Sequence, residues 1–167
     1  MIAWDQRLAK LLARALARTP THPNHVTAAS LVLGVAAFVA YASGVGALAH
    51  LGAALFMVAI FIDHADGELA RLTGRTSSFG HKFDRTVAAI NYTTLFVGMG
   101  IGLREGPLGA WAIAFGALGG LAISFIFNVR HRMERRHGKQ AIVQRGWVGF
   151  EVEDIMYAVG PITWLGW

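Results

Sequence analysis

Asp63, Asp66 and Asp84 are the residues whose type and spacing suggest chemistry, because they lie in a stretch whose surroundings are largely apolar. Asp63 and Asp66 stand three residues apart, which on a helix places both on one face. Gly67 and Ala70 continue that face four and seven residues after Asp63, giving a smooth strip where a ligand could approach the backbone. Asp84 follows the segment holding Gly74, Arg75, Thr76, Ser77, Ser78 and Gly80, so an antiparallel neighbour can return a third carboxylate to the first two. Three clustered carboxylates in a dehydrated place repel one another unless they are protonated or neutralised. A hard divalent cation with oxygen ligands, Mg²⁺ or Mn²⁺, neutralises them most readily. The alternative is that they form ion pairs with Arg71, Arg75 or Arg85 at the level of the lipid headgroups. His64 and His81 are near enough in sequence to add a ligand each, although lone interfacial histidines are more often solvated. Glu68 falls off the aspartate face and is expected to meet a neighbouring basic group.

The elements that position these residues must cross a bilayer. Apolar residues make up 54% of the 167 and charged residues only 15%, which excludes an ordinary soluble domain. Spans are expected at roughly 26–43, 47–72, 80–103, 107–130 and 149–167, each near the ~20 residues that cross the hydrocarbon core. The expected fold is an all-α integral membrane protein, one domain over residues 1–167, with a bundle of about five transmembrane helices. Residues 2–17 set Trp4, Leu8, Leu11, Leu12 and Ala15 against Arg7, Lys10 and Arg14, the pattern of an amphipathic helix lying in the interface. Pro23 breaks that helix, and Asn24 or Thr27 is expected to cap the first span. The run Ala114-Phe115-Gly116-Ala117-Leu118-Gly119-Gly120 lets helices approach closely where lipid offers no hydrophobic drive to associate. The last span is barely long enough to cross, and the chain is expected to stop before a sixth. Cysteine is absent, which excludes disulfide and thiolate chemistry.

The net charge of +5 raises nucleic acid as a partner, and the placement of the charge answers it. Of the fifteen lysines and arginines, all but Arg104 fall before the first span, around the second connection or in the fourth. The positive-inside rule then puts the N-terminus and the aspartates on the cytoplasmic side, and anionic lipid rather than nucleic acid accounts for the basic excess.

Taken together, Asp63-x2-Asp66-Gly67-x2-Ala70-Arg71-x8-Gly80-x3-Asp84 is similar to the signature of the CDP-alcohol phosphatidyltransferase family, D-x2-D-G-x2-A-R-x8-G-x3-D-x3-D. The lead-in Pro23-Asn24-x2-Thr27 also resembles the family's segment before its first span. Members of the family usually have six membrane helices. The resemblance implies transfer of a phosphatidyl or related phosphoryl group from CDP-diacylglycerol or another CDP-alcohol to an acceptor hydroxyl, with release of CMP. By the same resemblance Asp63, Asp66 and Asp84 are ligands of one or two divalent metals. Asp63, Gly67, Ala70, Arg71 and Gly80 form the nucleotide site, the small residues leaving room and Arg71 supporting it electrostatically. A homodimer in a bacterial inner membrane is implied as well, with the active site on the cytoplasmic side.

One position departs from the signature: the family's last aspartate falls at Ala88. In the family that carboxylate is a metal ligand and the proposed base for the attacking hydroxyl. A methyl group does neither, so Asp84 stands without its partner and impaired catalysis is expected. Asn91 offers a neutral oxygen but no base, and His81 is a substitute base only if its loop folds back. A non-catalytic relative that binds CDP-lipid or stabilises another membrane protein is the alternative. A metal-ion carrier is a third use of the carboxylates, and it has no need of the strip at Gly67 and Ala70. If the acceptor carries a phosphate, Arg130 and Arg132 are expected to bind it. Glu151, Glu153 and Asp154 are expected to pair with the same basic cluster.

Overall fold

The computed structural model describes residues 4–138 and 156–166. The described chain folds as α1 (Trp4–Leu16), α2 (Pro23–Ala42), α3 (Gly46–Thr73), α4 (Ser78–Gly102), α5 (Trp111–His137) and α6 (Val159–Trp164). No strand occurs among the described residues. Three helical segments, Pro23–Ala42, Gly46–Thr73 and Trp111–Arg130, are long and apolar enough to cross a membrane. α4 is of similar length, but Asn91, Tyr92, Thr93 and Thr94 dilute its hydropathy. The bundle exposes Val32, Val35 and Val39 of α2 and Leu118, Leu121 and Phe125 of α5, side chains that lipid rather than water accommodates. The chain is an all-α integral membrane protein.

Local chemistry sets the ends of the helices. Pro23 occupies the first turn of α2, where its missing N–H is no loss, and the Nδ1 of His22 accepts from the Asn24 N–H at 3.2 Å. The cap is therefore His22 and not Asn24 or Thr27. Because the helix starts at Pro23, Thr27 is already a full turn inside it. α3 stops at Gly74, whose φ of 66° is left-handed and suits a residue without a Cβ. Ser77 then caps α4, its Oγ accepting from the Gly80 N–H at 2.9 Å.

α1 packs on α3 through Ala9, Ala13 and half-buried Leu16, while Leu8 and Leu11 remain exposed beside Arg7 and Arg14. That division suits a helix with one face on protein and another in the interfacial layer. α5 differs from expectation at its far end. Arg130, Arg132 and Arg136 lie on the helix, which runs on to His137, because nothing in the sequence interrupts it before Gly138. α6 covers part of the fifth expected span, with the Thr163 and Tyr41 hydroxyls 2.7 Å apart and the Trp164 Nε1–H donating to the His50 carbonyl at 3.2 Å. Residues 149–155 of that span, with Glu151, Glu153 and Asp154, lie outside the described residues, as do Lys139 and Arg145.

The centre of the bundle joins α2, α3 and α4 through Ala37, Tyr41, Ala53, Phe56, Ile60, Tyr92 and Leu95. Tyr92 meets Phe56 edge-on and stacks on Phe127 of α5, with centroids 5.9 and 5.0 Å apart. α4 and α5 touch backbone to backbone. A Cβ on Gly116 would lie 2.9 Å from the Gly100 Cα, and one on Gly120 would lie 2.9 Å from the Thr93 carbonyl oxygen. Neither contact can be relieved by rotating a side chain, so the glycines of this seam are packing requirements. Gly116→Ala is therefore expected to destabilise the protein by about 1–3 kcal/mol, the usual range for overpacking. Gly46→Ala, where nothing lies within 4 Å, is expected to leave stability unchanged or to raise it by up to about 1 kcal/mol. Thermal unfolding of the two variants in the same detergent checks the difference.

Candidate functional site

α2, α3 and α4 meet at the end of the bundle that carries most of the basic residues. The last turns of α3 supply Asp63 and Asp66, and the first turns of α4 supply Asp84. One oxygen from each of the three carboxylates can be chosen so that all lie within 4.8 Å of one another. Asp66 is buried, and Asp63 and Asp84 are half-buried. Helix α2 supplies a hydroxyl to each of the two α3 aspartates, that of Thr27 to Asp66 Oδ2 and that of Ser30 to Asp63 Oδ1 at 3.4 Å. Thr27 and Ser30 are three residues apart, the same spacing as Asp63 and Asp66, so two facing helices present matched donors and acceptors.

Cations stand around this arrangement, with Arg71 near both Asp66 and Asp84. Arg71 pairs with Glu68 at 3.2 Å, where Lys10 of α1 also reaches at 3.7 Å, and Arg75 donates to the Thr21 carbonyl at 3.3 Å. Glu68 thus stands off the aspartate face and meets basic groups, as its position in the sequence suggests. Arg85 remains beside Asp84, with His81 and His64 also near it. The donor set fits a hard divalent cation: three carboxylates, two of them each receiving one hydroxyl donor, gathered on oxygens that small side-chain rotations could bring onto one ion or an adjacent pair.

A cleft of about 310 Å³ opens over Asp66 and Asp84. That is at the lower end of the range of small-molecule sites, about 300–1,000 Å³. Gly67, Ala70 and Gly80 form smooth parts of its wall, and Arg71, Arg75 and Arg85 bring positive charge to it. Asn24, Ser77, His81 and Ala88 line it too. At Gly67 an added Cβ would meet nothing nearer than the flexible Arg71 guanidinium at 3.7 Å. Protein packing does not demand the glycine there, and the space it leaves belongs to the cleft. Gly80 is tighter, since a Cβ would come 3.1 Å from Ser77 Oγ and 3.2 Å from Asn24 Oδ1. A second groove of about 440 Å³ runs along the α4–α5 seam and shares Arg85 and Phe127 with the first.

Most residues singled out in the sequence gather here. Asp63 joins the carboxylate cluster but stands behind the lining of the cleft, whereas Asp66, Gly67, Ala70, Arg71, Gly80 and Asp84 all line it. Ala88 also lines it, so the departure from the signature falls inside the site. Arg130 and Arg132 are not part of the lining. Sequence reasoning missed Thr27 and Ser30 as partners of the carboxylates, and it missed Phe127 as a wall. The detectable signal for the hydroxyls was their i, i+3 spacing within an otherwise apolar span. With the site in this form, a family model described as CDP-alcohol phosphatidyltransferase matches residues 20–159, which take in every element of the cleft. No individual curated protein matches the sequence. The chain belongs to the CDP-alcohol phosphatidyltransferase family.

Proposed function

We propose that this protein binds a CDP-linked lipid or CDP-alcohol in the cleft and transfers its phosphatidyl or substituted phosphate group to an acceptor hydroxyl, slowly, with release of CMP. The observation that carries this reading is the convergence of three carboxylates on a cleft whose wall is kept open at Gly67. Asp63, Asp66 and Asp84 would hold Mg²⁺ or Mn²⁺, which when bound neutralises phosphate charge and aligns an in-line displacement. Gly67, Ala70 and Gly80 leave room for the nucleotide, and Arg71 adds positive charge at the rim. The α4–α5 groove, which shares Arg85 and Phe127 with the cleft, offers a largely apolar surface for a lipid chain. Its threonines spend their hydroxyls internally, Thr86 and Thr94 on the Lys82 and Ile90 carbonyls, both at 2.8 Å, and Thr93 on Ser124 at 2.5 Å.

In the transfer the acceptor oxygen forms a bond to phosphorus, the bond from that phosphorus to the CMP oxygen breaks, and the hydroxyl proton passes to water. Ala88 supplies no group to take the proton. A second reading, a relative that binds CDP-lipid without turning it over, draws on that same methyl group. For the acceptor, we assign a phosphate to Arg130 and Arg132, on α5 beyond Phe127. The basic end of the bundle faces the cytoplasm in this reading, in a bacterial-type inner membrane, and the protein works as a homodimer.

Two measurements test this. CMP release from CDP-diacylglycerol, offered each acceptor in turn, is expected to be metal-dependent and slow in the natural chain. It rises about 10²- to 10⁴-fold in Ala88→Asp, the usual worth of a general base. Equal, high rates in both sink the impaired-site reading, and metal-dependent CDP-lipid binding with no CMP from either chain favours the non-catalytic one. Gly67→Ala is expected to fold normally, with up to about 1 kcal/mol of added helix stability, while its affinity for the CDP-alcohol drops at least tenfold. Unchanged affinity removes Gly67 from the nucleotide site.

A further inference from the structure

Asp63 is held from behind by a chain of buried polar groups that runs across three helices. Ser30 is fully buried and Asn91 is 4% exposed. The Asn91 Nδ2 lies 3.0 Å from Ser30 Oγ and 3.4 Å from the Ser30 carbonyl oxygen. A carbonyl can only accept, so the amide nitrogen must face Ser30 and donate to both oxygens. With its oxygen already accepting from Asn91, the Ser30 hydroxyl donates onward to Asp63 Oδ1. The chain has a direction, from Asn91 on α4 through Ser30 on α2 to Asp63 on α3.

A serine or threonine inside a helix readily turns its hydroxyl onto the carbonyl four residues back, as Thr86 and Thr94 do here. Asn91 competes with that habit at Ser30 by engaging both of its oxygens. Asn91 Oδ1 is buried and meets no hydrogen-bond partner among the described residues. Opposite it stands Gly34, where a Cβ would overlap the amide. Packing alone favours an apolar side chain over a half-satisfied amide in such a core, and each exception calls for a reason.

We propose that Asn91 and Ser30 are a positioning pair that holds the Asp63 carboxylate in the orientation required by a divalent cation, a role that rests on the metal reading above. Residues behind a ligand commonly tune metal affinity 10- to 100-fold. Thr27 serves Asp66 separately, so the pair acts on one ligand of the three. Neither residue touches the nucleotide cleft.

Mn²⁺ binding to the full chain in detergent, followed by the loss of the free-ion paramagnetic resonance signal, tests the proposal without turnover. Ser30→Ala and Asn91→Ala are each expected to weaken binding about tenfold. The double variant is no weaker than the weaker single one, because the two residues are links in one chain. Helicity and melting temperature identify any variant that loses its fold. Ser30→Ala, which removes a single heavy atom, carries the test should Asn91→Ala not fold. Binding that is lost in Asp63→Asn but unchanged in Ser30→Ala overturns the positioning pair alone, as do single effects that multiply in the double variant. Absence of Mn²⁺ binding by the natural chain, or equal binding by Asp63→Asn, overturns the metal reading and this proposal with it.

Discussion

The architecture depends on making carboxylates tolerable inside a helical bundle in a membrane. An ionisable side chain at bilayer depth costs several kcal/mol unless it finds partners or a polar cavity. Here two aspartates of α3 receive hydroxyls from α2, the third arrives from α4, and a cleft opens over the group. Those contacts fix the relative rotation of α2 and α3, since turning α2 by one residue would withdraw both donors together. The apolar centre around Phe56, Tyr92 and Leu95 fills the remaining space but does not set the register in the same way, because hydrocarbon contacts are non-directional.

The second constraint is distance between backbones. Lipid offers no hydrophobic drive for helix pairing, so α5 is held on α4 by close contact along Gly100, Gly116 and Gly120. That seam carries Phe127 to the edge of the cleft and stacks it on Tyr92. A packing feature far from the carboxylates therefore shapes their surroundings.

Much of the site was legible in the sequence, for a physical reason. Charged residues are rare in membrane helices, so Asp63, Asp66 and Asp84 stand out, and helical spacing alone places Gly67 and Ala70 beside them. The span limits were readable to within a few residues for α2, α3 and α4 because turns and apolar runs alternate cleanly. Thr27 and Ser30 were not readable as partners of the aspartates. A hydroxyl in a helix can satisfy itself locally, and sequence does not say when it turns to a neighbouring helix instead. The start of α2 was misassigned because asparagine and threonine are commoner caps than histidine. The arginines at the end of α5 were read as a connection because charge suggests solvent, yet arginine is a good helix former and nothing in the segment interrupts it before Gly138.

The length of α3 has a consequence for where a reaction can take place. Twenty-eight residues make a helix of about 42 Å against a hydrocarbon layer of about 30 Å. Counting from Gly46, Asp63 lies about 26 Å along the axis and Asp66 about 30 Å. A helix that enters at one edge of the hydrocarbon layer and runs straight across therefore carries Asp66 to about the opposite edge, beneath the headgroups. In the proposed reaction a lipid meets the carboxylates by sideways diffusion within its own leaflet, keeping its tails in oil, while the water-soluble product departs on the aqueous side of the same boundary.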